Sequence, residues 1–163
     1  MKKVLIIAFA ALLTFGLSST SLAQMNQEGD IIAGGGLTFT TGVGTGEIGI
    51  TGSGYYSITD DIRAGAGLSI FFGDFSPTQF NIDGHYLFVN DDDMAIYGLA
   101  GIGYWSWSFD FGGFGSTSVS TTGLNLGAGL DYGLDSIDLF GEAKLTTIGD
   151  LPFNITGGVR FRF

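Results

Sequence analysis

The chain has 163 residues, of which 29 are glycine, 15 are phenylalanine and none is cysteine, so it is not a disulfide-stapled secreted domain. Sixteen acidic residues against six basic ones give a net charge of −10. A surface this acidic repels phosphate backbones, and we expect no nucleic-acid partner.

The first 23 residues have the pattern of a secretory signal peptide. Two lysines form a basic start, residues 4–17 are almost entirely apolar, and Ser21–Ala23 supply the small residues of a cleavage site. The apolar stretch is shorter than the roughly 20 residues that a membrane-spanning helix needs. We therefore predict an exported chain that begins at Gln24. It carries four basic and sixteen acidic residues, a net charge of −12.

Eight segments of the exported chain have the spacing of β-strands, and no helical periodicity is present. The first, "IIAGGGLTFT", and the fifth, "MAIYGLAGIGYWSW", are apolar on both faces, so the inward side of the fifth cannot be assigned. The other six alternate clearly between apolar and polar residues. They span residues 47–58, 62–72, 78–89, 118–133, 137–147 and 153–163.

Turn-forming residues separate these segments. The connections at 59–61, 90–93 and 134–136 are short and acidic, whereas the others are rich in glycine and somewhat longer. Short turns at one rim and longer loops at the other are typical of an outer-membrane barrel. The longest predicted loop, residues 109–118, is our candidate for contacts with lipopolysaccharide or a partner, through Phe109, Phe111 and Phe114.

Charged residues lie on the polar faces of the strands. They are Glu47, Arg63, Asp83, Asp131, Asp138, Glu142, Lys144, Arg160 and Arg162. A soluble lipocalin-like barrel would turn this face to water, and a membrane barrel would turn it inward. The strands reach the length that crosses a bilayer, and aromatic residues gather near their ends. We therefore predict one all-β domain, residues 24–163: an eight-stranded antiparallel up-and-down transmembrane β-barrel.

An eight-stranded barrel has a lumen that side chains just fill, which disfavours a general pore. Charges inside it must be paired or wetted, because an unpaired buried charge is costly. We expect an ion network in the lumen, with Glu47 as a further partner. Its members are Arg63, Asp83, Asp131, Glu142, Lys144, Arg160 and Arg162.

The signal peptide, the eight strands, the hairpin "YSITDDIRAGAGLSI" and the terminal "GGVRFRF" resemble the OmpA/OmpX-type small outer-membrane β-barrel family. The resemblance covers essentially the whole exported chain. It implies an outer-membrane location, contact with outer-membrane lipids, and recognition by the barrel-assembly machinery, which in that family reads an outward C-terminal phenylalanine. The resemblance assigns this signal to Phe163, with Phe161 and Val159 at the alternating positions before it. We expect a monomer with no domain after the barrel.

The sequence offers little sign of catalysis. His85 is the only histidine and lies two residues from Asp83, which would suit a general base, but no serine lies beside it in the strand. The acidic turn at 90–93 lacks the spacing of a calcium loop, and we expect neither a metal nor a cofactor.

Three functions remain open. The first is a non-enzymatic barrel with a structural or accessory role in the envelope, or with surface interactions through its outer loops. The second is a narrow channel or an OmpW-like path for a small hydrophobic ligand, which the apolar residues on both faces of the fifth strand support modestly. The third, which we favour least, is a lipid-modifying enzyme.

Overall fold

A computed structural model of the chain describes residues 25–41, 46–73, 77–110, 116–134, 136–149 and 151–163. The predicted signal peptide, residues 1–23, lies outside these residues and stays a prediction. Among the described residues, no helix is long and apolar enough to cross a membrane.

Eight antiparallel strands close into a barrel in chain order, and the last strand pairs with the first. The strands are β1 Ile31–Thr41, β2 Glu47–Thr59, β3 Ile62–Phe72, β4 Thr78–Asn90, β5 Met94–Asp110, β6 Ser116–Leu134, β7 Ile137–Thr146 and β8 Phe153–Arg162. The predicted fold class is confirmed. Even the shortest strands, β7 and β8, have ten residues, which is enough to cross a bilayer at a tilt.

The stagger between strands is that of a strongly tilted barrel. Paired residues can be followed once around the wall, from Ile31 through Tyr56, Ala64, Gly84, Ala100, Leu126, Leu145 and Phe153 back to Thr41. The circuit returns to β1 ten residues beyond its start, from 31 to 41. In a closed eight-stranded sheet such a shear goes with a strand tilt of roughly 40°.

The two ends of the barrel differ. The inner rim carries the short turns at 60–61 and 91–93 and the short connection between β6 and β7, together with the segment Met25–Asp30 and the terminal Phe163. The outer rim carries the longer connections between β1 and β2, β3 and β4, β5 and β6, and β7 and β8. Barrels of the outer membrane turn their short connections to the periplasm, and on that rule we expect the inner rim to be the periplasmic one.

The hairpin of β5 and β6 extends beyond the rest of the wall. Pairing of β5 with β4 ends at Ser106 and pairing of β6 with β7 ends at Asn125, but β5 and β6 pair with each other as far as Asp110 and Ser116. The prediction of a loop over 109–118 was therefore wrong in extent. Above the bilayer both faces of a strand meet water, so its sequence has no reason to alternate.

The outer surface of the barrel is apolar. Leu37 and Phe88 are 65% and 66% exposed, and bulky apolar side chains flank a waist of small ones around the middle of the wall. Waist residues include Gly52, Ala66, Gly84, Ala100, Ala143 and Gly157. Soluble proteins rarely expose a large continuous apolar surface to water, whereas a barrel in a bilayer requires an apolar band around its wall. The outward apolar face predicted for a membrane barrel is therefore confirmed.

The structure assigns the inward side of β5, which the sequence left open. Ala95, Tyr97, Leu99 and Trp105 point into the lumen and are at most 4% exposed, whereas Ile102 lies on the outer surface. The inward face of this strand is apolar because it packs against other apolar side chains at both ends of the lumen. A period-two pattern of polarity therefore never forms along it.

One detail of the last strand differs from the prediction. Alternation with Arg160 and Arg162 predicts that Phe161 faces lipid, yet Phe161 is only 7% exposed, while Phe163 is 43% exposed. The residue paired with Phe161 on β1 is Ala33. Neighbouring protein atoms therefore cover most of Phe161, and lipid covers little of it.

The position of a new charge on the outer wall should determine its cost. Ala66 is exposed near the middle of β3, whereas Thr41 is exposed at the outer end of β1. We expect Ala66→Arg to lower the free energy of unfolding in lipid by about 2–4 kcal/mol and Thr41→Arg by at most about 1 kcal/mol. Urea titration of both variants in phospholipid vesicles measures this difference. Equal costs at the two positions would contradict a bilayer around the waist.

Candidate functional site: a filled lumen

Six charged side chains meet in the inner half of the lumen, and we call them the charge cluster. They are Arg63, Asp83, Asp131, Glu142, Lys144 and Arg160. They come from β3, β4, β6, β7 and β8, at positions where strict alternation points the side chain inward. Each is at most 8% exposed. Three cations face three carboxylates, so the cluster is electrically neutral.

Two arginines share one carboxylate at the centre of the cluster. Arg63 Nη2 lies 2.7 Å from Asp131 Oδ2, and Arg160 Nη1 contacts the other oxygen, Oδ1. Arg160 Nη2 lies 3.3 Å from Glu142 Oε2. Because both oxygens of Asp131 are bound by guanidinium groups, its negative charge is fully compensated inside the barrel.

Lys144 compensates the remaining charge. Its Nζ donates to Asp83 Oδ2 at 3.0 Å and lies 3.6 Å from Glu142 Oε1. Glu142 thus joins Lys144 to Arg160, and Asp83 joins through Lys144, so the six side chains form one connected network. Of the seven residues expected in the lumen network, six lie in this cluster.

Arg162, the seventh, lies at the inner rim. Its Nε is 2.9 Å from Asp138 Oδ2, and its side chain is 29% exposed. Glu47 lies at the opposite end of the lumen, at the outer end of β2, and is buried. The alternation of the strands predicted the inward direction of both residues but not their height in the barrel.

Aromatic rings surround the arginines of the charge cluster. The Cζ atom of Arg160 lies 4.0 Å from the ring centre of Phe140, and that of Arg63 lies 4.6 Å from the ring centre of Tyr97. The Tyr97 hydroxyl accepts from Arg160 Nη1 at 3.0 Å and donates to Glu142 Oε2 at 3.1 Å. These cation–π contacts stabilise the positive charge of the buried guanidinium groups, which water would otherwise hydrate.

The geometry around His85 does not form an acid–base pair. Arg63 Nε donates to His85 Nδ1 at 3.1 Å, so Nδ1 is an acceptor and the neutral ring carries its proton on Nε2. The ring is stacked on Tyr97 with 4.4 Å between centres. Asp83, the carboxylate nearest in sequence, accepts from Lys144 and Asn125 instead. His85 therefore positions Arg63 and packs the lumen.

Uncharged polar side chains fill the next layer toward the outer rim, and we call them the amide ladder. They are Gln79, Asn81, Asn125, Thr146 and Asn154. Asn154 Nδ2 donates to Gln79 Oε1 and Thr146 Oγ1 donates to Asn125 Oδ1, each at 2.9 Å. Asn125 Nδ2 bonds both Asn81 Oδ1 and Asp83 Oδ1, which joins the ladder to the charge cluster.

A row of hydroxyl groups crosses four strands beside the amide ladder. Thr38 Oγ1 lies 2.8 Å from Thr156 Oγ1 and 2.5 Å from Thr51 Oγ1, and Thr51 Oγ1 lies 2.7 Å from Ser69 Oγ. Neither the ladder nor this row was predicted from the sequence. Their inward direction was readable from alternation, but an amide or hydroxyl does not indicate its partner as a charge does.

Little space is left between the charge cluster and the amide ladder. A polar cavity of about 20 Å³ lies between the charge cluster and the amide ladder, lined by side chains that include Asn81, Lys144, Asn154 and Arg160. One water molecule needs roughly 10–15 Å³ of such space, so the cavity holds one or two. This part of the lumen has no room for an ion path or for a drug-sized ligand.

Apolar side chains cover the outer end of the lumen. The Trp105 ring stacks between Phe71 at 5.5 Å and Trp107 at 5.8 Å, and Ile148 from the β7–β8 connection packs against this aromatic stack. Trp105 is completely buried. Of the three outer-loop candidates, Phe111 and Phe114 lie outside the described residues, and Phe109 belongs to β5.

In the described part of the chain, no three histidine, cysteine or acidic side chains are grouped closely enough to hold a metal ion. The acidic turn at 90–93 has a structural role instead. Asn90 Nδ2 donates to the carbonyl oxygens of Asn26 and Asp60 at 2.8 and 2.9 Å. The first residue of this turn therefore ties two other segments of the inner rim together.

No protein-family model and no curated protein matches this sequence. Solved structures do match. The N-terminal β-barrel domain of OprF from Pseudomonas aeruginosa is 19% identical with a TM-score of 0.68, covering 85% of this chain and 100% of that one. Ail, the attachment invasion locus protein of Yersinia pestis, is 20% identical with a TM-score of 0.62, covering 84% and 100%. OprG, an outer membrane protein of P. aeruginosa, is 14% identical with a TM-score of 0.62, covering 85% and 97%.

These similarities establish the fold. The chain has the fold of small eight-stranded outer-membrane β-barrels, as the resemblance to the OmpA/OmpX type implied. A closed barrel that is apolar outside and charged inside belongs in a bilayer, and barrels of this kind are proteins of the outer membrane. The predicted outer-membrane location is confirmed on these grounds.

Proposed function

We propose that this chain is a non-enzymatic barrel with a structural or accessory role in the outer membrane, and that its outer end mediates surface interactions. The filled lumen carries the proposal. Ion pairs, amides and hydroxyl groups occupy successive layers of it, and the cavity between them holds only one or two water molecules. These filled layers stabilise the wall and leave no path through the part of the lumen that they occupy.

The extended β5–β6 hairpin supports the second half of the proposal. Beyond Ser106 on β5 and Leu124 on β6, whose backbone still bonds Thr147, each strand has a strand partner on one side only, so its other edge presents backbone groups that no neighbouring strand pairs. Thr117, Ser118 and Ser120 are exposed there. An edge of this kind offers main-chain hydrogen bonds to an extended segment of another protein.

The placement of the basic residues restricts what the outer end can bind. All four basic residues of the predicted exported chain lie in the charge cluster or at the inner rim. Ail has been solved with the heparin analogue sucrose octasulfate. Residues 25–163 have no arginine or lysine left for sulfate or phosphate groups at the outer end. We therefore propose a partner that is recognised through backbone and hydroxyl groups.

The other partners follow from the fold. Outer-membrane lipids cover the apolar wall, and we propose that Val159, Phe161 and Phe163 are read by the barrel-assembly machinery. In support, Phe163 is exposed at the inner rim, and its backbone N–H donates to Ile31 O at 2.9 Å, so that it closes the wall. We further propose that the barrel acts as a monomer.

A narrow channel, or a path for a small hydrophobic ligand, is the second candidate. The aromatic stack of Phe71, Trp105 and Trp107 at the outer mouth favours it, because such a surface suits an apolar molecule. The filled layers below the stack argue against passage. A lipid-modifying enzyme has less support, because His85 bonds Arg63 and lies deep in the lumen.

Conductance separates the first two candidates. We expect the purified barrel to give no steady open state in planar bilayers, because the cavity in its lumen is too small for a hydrated ion. A porin measured in the same bilayers serves as the positive control. A stable conductance would overturn the structural proposal in favour of the channel. Altered lipid A in cells that overproduce the protein would instead support the enzyme.

A further inference from the structure

Residues Met25–Asp30, which precede β1, fold back across the inner mouth of the barrel, and we call this segment the inner plug. Met25 and Asn26 are 2% and 0% exposed, although they lie outside any strand. A segment at the edge of a domain is ordinarily mobile unless specific contacts hold it. This segment is held by both apolar contacts and hydrogen bonds.

The Met25 side chain enters the lumen below the charge cluster. It packs in one apolar group with Leu87, Ala95, Tyr97 and Leu99. The same Tyr97 bonds Arg160 and Glu142 through its hydroxyl. Met25 therefore covers the inner side of the layer on which the buried ion pairs rest, and it separates that layer from the periplasm.

Asn26 joins two strands, β2 and β4, and the turn that follows β2 at the inner rim. Its Nδ2 donates to the carbonyl oxygens of Thr59 and Asp60 at 3.2 and 2.9 Å, and its Oδ1 accepts from Ser57 Oγ at 2.6 Å. Its backbone N–H donates to Asn90 Oδ1 at 3.0 Å, and its carbonyl oxygen accepts from Asn90 Nδ2 at 2.8 Å. The side-chain amide uses both of its donors and its acceptor.

The backbone of the plug is held on the other side as well. Met25 N–H donates to Asp91 O at 3.1 Å, and Arg162 of β8 donates to Met25 O at 2.5 Å. The chain then turns into β1 at Gly29, whose φ of +94° suits glycine, and Gly29 N–H donates to Ser57 O at 2.9 Å. Contacts with β2, β4, β5 and β8 thus fix the segment across the mouth.

We propose that the inner plug is a seal that closes the lumen against the periplasm and shields the charge cluster from water on that side. Burial strengthens ion pairs only while water is excluded, so the seal and the cluster support each other. The seal is independent of the surface interactions proposed above, because it lies at the opposite rim.

The chain has no cysteine, which makes a single introduced thiol a clean probe of the seal. Ala95 is completely buried beneath Met25. In the folded barrel in detergent, we expect Ala95→Cys to react slowly with a polar, membrane-impermeant maleimide. Ser120→Cys, on the exposed hairpin, should react rapidly and serves as the accessible reference.

Loosening the plug should expose the probe. In the Ala95→Cys background, Met25→Gly combined with Asn26→Gly should raise the labelling rate by about tenfold or more, since several hydrogen bonds and an apolar contact are lost. Glu28→Ala is the matched control, because the exposed Glu28 contributes only its backbone N–H to Asp60. Asn26→Ala alone is a milder variant should the double variant not fold, as judged by a heat-dependent shift in SDS electrophoresis.

Two results would overturn the seal. One is rapid labelling of Ala95→Cys, at the rate of Ser120→Cys, while the native plug is present. The other is an unchanged rate when the plug is loosened in a barrel that still shows the heat-dependent shift. A rise confined to the plug variants, with Glu28→Ala unchanged, supports it.

Discussion

Replacing Arg160 with alanine is expected to lower the free energy of unfolding of the barrel by about 3–5 kcal/mol, because it leaves buried carboxylates without a cation. Arg160 is 1% exposed and bonds both Asp131 and Glu142. Its loss gives the charge cluster a net charge of −1 in a site that water does not reach freely. Urea unfolding in lipid vesicles, followed by the fluorescence of Trp105 and Trp107, measures the change.

Arg162 supplies the matched control on the same strand. It pairs with Asp138 at the rim, where its side chain is 29% exposed, and partly exposed ion pairs contribute little. We expect Arg162→Ala to cost at most about 1–2 kcal/mol, including its hydrogen bond to the plug. Adding Asp131→Asn to Arg160→Ala should recover part of the loss, since it restores neutrality. Equal costs for the two arginines would contradict a buried network.

The charges explain which strands could be predicted from the sequence. On β4, β7 and β8 the charged and amide residues within the ranges 79–83, 138–144 and 154–162 all stand on the inward face, because no such residue can face lipid. The inward faces of those strands could therefore be predicted from the sequence. The inward face of β5 carries Tyr97, Leu99 and Trp105, which pack against the plug and the aromatic stack, so polarity there does not reveal the side.

The parts of the lumen that escaped prediction depend on long-range pairing. Opposite charges that share a face of the sheet are expected to pair wherever the shear brings them together. The members of the charge cluster could therefore be predicted from the sequence. The amide ladder links Asn154 to Gln79 and Asn125 to Asn81 across the barrel, and nothing local in the sequence indicates these partners. The inner plug has neither a period nor a charge pattern, and only the closed wall explains why Asn26 is buried.

The neutral charge cluster contrasts with the excess of acidic over basic residues in the exported chain. The exported chain is strongly acidic, yet all its described cations are used in pairs at or below the middle of the lumen. The exposed carboxylates of the inner rim include those of Glu28, Asp60, Asp61 and Asp92. The charge cluster is therefore balanced charge by charge, whereas the exposed carboxylates lie in water, where an excess of negative charge costs little.

The lumen glycines make room for these large side chains, and Gly65 should tolerate alanine far less well than Gly67. Both lie on β3 and face inward, two residues apart. A Cβ atom at Gly65 would meet Gly54 O and lie 2.5 Å from Tyr55 Cδ1, whereas one at Gly67 would lie 3.5 Å from its nearest neighbour. We expect Gly65→Ala to cost about 1–3 kcal/mol, because backbone and a buried ring must move.

Gly67→Ala should instead be neutral or stabilise the barrel by up to about 1 kcal/mol, since alanine reduces the freedom of the unfolded chain without a clash. Both variants can be compared by the same urea titration. The Tyr55 ring lies 5.1 Å from Arg160 Cζ, so displacing it from Gly65 also disturbs the charge cluster. If the two substitutions had the same effect, the small residues of the lumen would reflect strand curvature alone. A large difference means that each glycine is matched to the side chain across from it.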